Sequence, residues 1–287
     1  MYDILCLIKR NTLTFLRDKA AVFFSFLSVI ILLALYFLFI GRQYTSELQQ
    51  VTEGMRTFIS ISVIMGGVLV INTVSLSLGV VGNIITDLQY KKLDAFLVTP
   101  VKRYKIIISY YITSIMVTSV LTLLMWFITV IYVGLFSGYW YSLLTIIKVS
   151  GILIFFTFIS ATVMVYLTTL LKSVNAFGAL SGILGTFIGF VSGIYMPLVV
   201  LGKSMYYVAS VVPFTHMTIL LKQIILKEPY ELLPPHVVEE ISVFYGTNEI
   251  GLLGQPLNMG WIILFIVLLS IGLLYFAYRN MNKKMAK

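Results

Sequence analysis

The chain's 287 residues are 60% hydrophobic and only 11% charged, and they carry a net charge of +9. That balance excludes an ordinary soluble domain. The positive excess does not point to nucleic acid, because it is spread between apolar stretches, and the lone cysteine, Cys6, excludes an intrachain disulfide.

Six apolar stretches, at 20–41, 57–85, 106–133, 142–171, 174–201 and 259–278, each reach the roughly 20 residues a helix needs to cross a bilayer. Threaded in alternation, they leave fourteen of the 20 Lys and Arg residues on one side. The positive-inside rule makes that side, with both termini, cytoplasmic. Rings at the stretch ends (Tyr139, Trp140, Tyr141, Trp261, Tyr275, Tyr278) suit the headgroup level. The predicted fold is therefore an all-α membrane protein with six transmembrane helices.

Residues 1–19 precede the first span. Ile4, Leu5, Ile8, Phe15 and Leu16 recur at near-helical spacing, while Asp3, Arg10, Arg17 and Asp18 fall elsewhere. The pattern predicts an amphipathic helix lying in the inner headgroup layer; packing on its own protein is the other arrangement that fits. Residues 20–287 form the six-span domain. Span 1 carries no charge from Ala20 to Gly41 and lacks a small-residue cleavage site, so it is expected to be retained rather than removed as a signal peptide.

Span 2 is different in character. Asn72, Ser75, Gly79, Gly82, Asn83 and Thr86 share one helical face. Polar groups facing lipid are costly, so this face should meet protein or a water-filled path, and both remain open. The basic cytoplasmic segment 87–105 follows. It mixes charge with bulky apolar residues and stops at Thr99-Pro100, where the residue before proline leaves the helical region, so a short amphipathic docking helix is expected there.

Spans 3 and 4 meet in a tight aromatic turn around Gly138, and Lys148 is placed to snorkel from span 4 to the outer interface. Span 5 carries Gly178, Gly182, Gly185, Gly189 and Gly193 at four- and three-residue steps, a stripe that allows close helix packing within the chain or in a dimer. Region 202–258 is expected on the outer side. Its first half, broken by Pro213, predicts a re-entrant helical hairpin between spans 5 and 6; its second half predicts a folded loop with a surface helix near 236–245. Span 6 and a basic tail close the chain, and no internal repeat is visible.

Chemistry of its own is not expected. His216 and His236 have no accompanying ligand pattern, so no metal site is predicted, and no carboxylate pair falls mid-span. Gly202-Lys203-Ser204 matches the end of a phosphate-binding loop, but Pro197 stands where its first glycine belongs. The chain is predicted to be no enzyme and to hold no cofactor.

Two segments resemble the membrane subunits of ABC type-2 exporters. Leu93-Asp94-Ala95-Phe96-Leu97-Val98-Thr99-Pro100-Val101-Lys102-Arg103 is similar to that family's coupling segment, which sits in a cleft of the ATPase. Ser192-Gly193-Ile194-Tyr195-Met196-Pro197-Leu198, with Pro213-Phe214-Thr215-His216 downstream, is similar to its pattern ahead of the re-entrant helices. The resemblance implies a permease half in a bacterial cell membrane: two permeases, identical or paired with a sister, and two cytoplasmic ATPase subunits that bind ATP and Mg. It implies that Asp87, Lys91, Lys92, Asp94, Phe96, Pro100 and Arg103 contact the ATPase. It further implies that Asn72, Ser75, Gly79, Ser192, Tyr195 and Met196 line the substrate path, and that Pro197, Pro213 and Phe214 form the outer gate. The expected cargo is hydrophobic or amphipathic: a drug, an antimicrobial peptide, a lipid-linked molecule or a saccharide. A membrane sensor or assembly factor that moves nothing, and a gradient-driven secondary transporter, are the other readings.

Overall fold

The computed structural model describes residues 2–20, 22, 23, 27, 51–93, 96, 101–195, 202–247 and 258–285. Predicted span 1 lies almost wholly outside these residues, as do Asp94, Pro100, Met196 and Pro197. The described residues contain helices α1 (Tyr2–Arg17), α2 (Glu53–Gln89), α3 (Arg103–Ser137), α4 (Leu143–Leu170), α5 (Val174–Val191), α6 (Gly202–Val211), α7 (Pro213–Glu231), α8 (Pro235–Phe244) and α9 (Met259–Met285), and no strand. The chain is an all-α membrane protein. Five helices, α2 to α5 and α9, are long and apolar enough to cross a bilayer, and they coincide with predicted spans 2 to 6. Helices α6 and α7 meet at 88°, the geometry of a broken span or a re-entrant loop.

Local chemistry sets the boundaries. Ser142 and Ser173 each accept a hydrogen bond from the backbone N–H three residues on, capping α4 and α5. Gly138 takes the left-handed conformation (φ 76°) that ends α3. Pro213 and Pro235 occupy the first helical turns of α7 and α8, where the missing N–H costs nothing. Span 5 is shorter than its apolar run: α5 stops at Val191, not near 201. Gly193 turns left-handed (φ 68°), and the N–H groups of Ile194 and Tyr195 fold back to the Gly189 carbonyl.

Helix α2 is the axis of the molecule. Its most apolar window is 89% buried, against 17% for α5 and α9, because α3, α4, α5 and α7 all pack around it. The rest of the chain sorts to its two ends. At the Asp87 end gather α1, the α4–α5 hinge and the end of α9: the Val174 N–H donates to Gln89 Oε1 (2.7 Å), and Lys284 Nζ donates to the Leu171 carbonyl. At the Glu53 end lie the α3–α4 turn and α7, where the Glu228 carboxylate accepts from the N–H (3.0 Å) and hydroxyl of Ser142 and from the Thr145 hydroxyl. These two groups of loops are the two sets that the charge distribution separates.

Helix α1 packs on its own protein through Leu7, Ile8, Asn11 and Phe15, while Tyr2, Leu5 and Leu16 stay exposed on its other side.

Candidate functional site

At the Asp87 end, a charged cluster joins three helices. Asp87 lies in the last turn of α2, where the helix dipole disfavours a carboxylate, and it is 3% exposed. Arg10 of α1 supplies the compensating charge, with Nη2 at 2.6 Å from Oδ2. Tyr110 of α3 donates its hydroxyl to the same oxygen and receives a bond from Arg10 Nη1 (3.0 Å). The guanidinium also lies 5.1 Å from the centre of the Phe96 ring, so α1 touches the predicted coupling segment directly. Asn11 donates to Ser109 (3.3 Å), and Lys105 pairs with Asp3 (2.6 Å); the Lys105 ammonium holds the Asp3 carboxyl below its ordinary pKa.

Around this cluster the backbone turns sharply. Lys91 is left-handed (φ 54°), and the N–H groups of Lys92 and Leu93 return to the Asp87 carbonyl. Lys91, Lys92 and Arg103 are exposed, whereas Asp87 faces inward and Phe96 is half-buried. The seven residues singled out for ATPase contact therefore divide: three exposed cations, two inward groups that hold the turn, and Asp94 and Pro100 outside the described residues. The sequence did not reveal Arg10 as the partner of Asp87, since 77 residues separate them.

The polar residues of α2 also divide. Thr73 bonds Ser160 (2.8 Å), Ser77 bonds Thr118 (3.3 Å), and fully buried Asn72 donates to Thr122 (3.4 Å) while its Oδ1 has no partner among the described residues. These contacts stitch α2 to α3 and α4. Ser75 and Gly79 are half-exposed. They lie between two close approaches of α2 to the α5 region, at Gly67 (a Cβ would stand 2.5 Å from Ile194 Cγ1) and Gly82 (2.6 Å from the Phe177 ring).

At the other end of α5, Ser192 and Phe214 are buried, and Tyr195 and Pro213 are half-buried. Thr215 Oγ1 donates to the Val191 carbonyl (3.2 Å), pinning the start of α7 to the end of α5. Lys222 completes this corner. It is 4% exposed, and its ammonium donates to the carbonyls of Tyr245 (3.0 Å) and Gly193 (3.4 Å). Lys222 is one of the six basic residues that the alternation of spans leaves on the outer side. Its position inside the run Ile219-Leu220-Leu221-Lys222-Gln223-Ile224-Ile225-Leu226 was the available sign that it is buried.

The glycine stripe has two fates. At Gly178, Gly182 and Gly185 a Cβ would meet nothing within 4 Å, so this face of α5 has no packing partner among the described residues. Gly189 lies against the Tyr195 ring, and Gly193 forms the left-handed turn.

Among the described residues no cluster of His, Cys, Asp or Glu could hold a metal ion. No curated protein sequence matches the chain. The family profile described as ABC-2 type transporter matches residues 2–226, which takes in α1, the turn after Asp87, the glycine stripe and most of α7. This chain belongs to the ABC-2 type transporter family and is a membrane permease subunit.

Proposed function

We propose that this chain is one permease of an exporter driven by two cytoplasmic ATPase subunits, which bind ATP and Mg and carry out all the hydrolysis. The Asp87 end faces the cytoplasm and both termini lie there. The observation that carries the reading is the cluster of Arg10, Asp87 and Tyr110 beside three exposed cations: a rigid knot behind a charged docking surface. Lys91, Lys92 and Arg103 meet acidic groups of the ATPase. Asp87 and Phe96 hold the segment in register, so that a push on the turn reaches α1, α2 and α3 together. Ser75 and Gly79, with Tyr195, face the cargo path, buried Ser192 lies behind it, and Pro213 and Phe214 belong to its outer gate. The cargo is hydrophobic or amphipathic, because the path offers hydroxyls and rings but no exposed charge at these positions.

The open face of Gly178, Gly182 and Gly185 receives a second permease, identical or a sister. Purification from the native membrane in mild detergent tests the assembly. A stoichiometric ATPase should co-purify, and charge reversal at Lys91, Lys92 and Arg103 should release it without preventing insertion. Recovery of the chain without any ATPase, in several detergents, would overturn the reading in favour of a gradient-driven transporter or a sensor.

A further inference from the structure

We propose that the C-terminal end of α9 is a binding site for the phosphate-bearing headgroup of an anionic phospholipid. Tyr275, Arg279 and Lys283 are four residues apart, as are Tyr278 and Asn282, so the five form one strip of the helix surface. They line an open groove of about 360 Å³, large enough for a headgroup. Both rings are exposed, as are Arg279 and Lys283, and neither cation is in an ion pair among the described residues.

The charge around the groove is of one sign. No acidic residue follows Glu249 in the sequence. Lys284 is drawn to the carbonyl of Leu171, which brings Lys172 to the neighbouring side. The one α1 carboxylate that could offset this field, Asp3, is paired with Lys105, and Asp87 at the end of α2 is held by Arg10. Basic pockets beside spanning helices recruit anionic headgroups in this way.

A second feature separates a lipid from a soluble phosphate. Leu264, Leu268 and Ile271 are exposed and continue the same face toward the middle of the span, at steps of four and three residues that lead to Tyr275. They form an apolar lane about 16 Å long between Leu264 and Tyr275, at 1.5 Å per residue. A headgroup in the groove would lay its acyl chains along this lane, with the tyrosines at the boundary.

The test uses the full-length chain, purified with its co-purifying partners and examined by native mass spectrometry. Phosphatidylglycerol and phosphatidylcholine of the same acyl length are the probes, with sn-glycerol phosphate as the soluble one. The wild type should retain phosphatidylglycerol in preference. Arg279→Gln with Lys283→Gln should weaken that binding about 30-fold, leaving phosphatidylcholine retention and the unfolding midpoint unchanged. Equal loss of both lipids, or no loss of either, would overturn the site. Tight binding of sn-glycerol phosphate would overturn the lipid assignment in favour of a soluble phosphate ligand. Release of a co-purifying protein with full lipid retention would overturn it in favour of a protein contact.

Discussion

Gly66 of α2 lies directly beneath Lys222 of α7: a Cβ at position 66 would stand 2.7 Å from the lysine Cγ and 3.3 Å from its Cα. The missing side chain is what lets the buried ammonium reach the carbonyls of Gly193 and Tyr245. Gly66→Ala should therefore push α7 away from α2. Overpacking of this kind costs about 1–3 kcal/mol, more than the roughly 1 kcal/mol that alanine gains in helix propensity. The unfolding midpoint of the purified chain in detergent should fall, and a midpoint equal to or above wild type would contradict the close approach.

Asp87 is buried and Arg10 half-buried, so removing one member strands the other. Asp87→Asn or Arg10→Ala should each lower stability by about 3 kcal/mol, and the double substitution should cost less than the two single losses combined. Tyr110→Phe removes two hydrogen bonds, the one donated to Asp87 and the one received from Arg10, and should cost about 2 kcal/mol. Denaturant titration of the four variants measures the coupling; full additivity would show that the pair does not act as a unit.

The two fates of the glycine stripe make a contrasting pair of substitutions. Gly182→Leu meets no neighbour among the described residues and should leave the unfolding midpoint of the isolated chain unchanged or slightly raised, through helix propensity. If a second permease seats there, the same change lowers the dimer fraction. Gly189→Ala would drive a methyl into the Tyr195 ring and should destabilise the chain whatever its assembly state. Size-exclusion chromatography with light scattering, alongside thermal unfolding, separates the two effects.

The Asp3–Lys105 pair gives α1 a pH response with a defined sign. Lys105 lowers the Asp3 carboxyl below its ordinary value, so the contact is complete above that value and is lost as pH falls through the lowered one. Exposed Cys6, on the same helix, accepts a fluorophore that reports the helix position. Its signal should stay flat from neutral pH down to about 4 and change below it. Asp3→Asn should remove the step due to this pair; an identical acid transition in that variant would assign it to other groups.

Much of this was legible in the sequence, for physical reasons. Runs of about 20 apolar residues declare themselves, which is why α2, α3, α4 and α9 lie where the hydropathy puts them. The end of α5 was not legible from hydropathy, because the run continues past Val191 and only the left-handed Gly193 stops the helix. Helix α2 likewise extends to Gln89, beyond its apolar limit, since the turn at Tyr90 and Lys91 ends it rather than any change in polarity. The surface helix near 236–245 matches α8 closely, Pro235 having marked its start. Pairings across long separations were invisible: nothing near residue 87 names Arg10, and the regular glycine spacing did not say that three of its members would meet no neighbour among the described residues.

The 37 residues of α2 contain no proline, and at 1.5 Å per residue they make a rod about 55 Å long, nearly twice the thickness of a bilayer's hydrocarbon core. Gly66, where Lys222 crosses, and Asp87, where Arg10 grips, are 21 residues apart, or about 32 Å. If the crossing serves as a fulcrum, a tilt of about 10° swings the far tip by roughly 5 Å, close to one turn of a helix. A shift of that size at the Asp87 end would move the Glu53 end, 13 residues on the other side of the crossing, by about 3 Å in the opposite sense, with no proline along the shaft to absorb it.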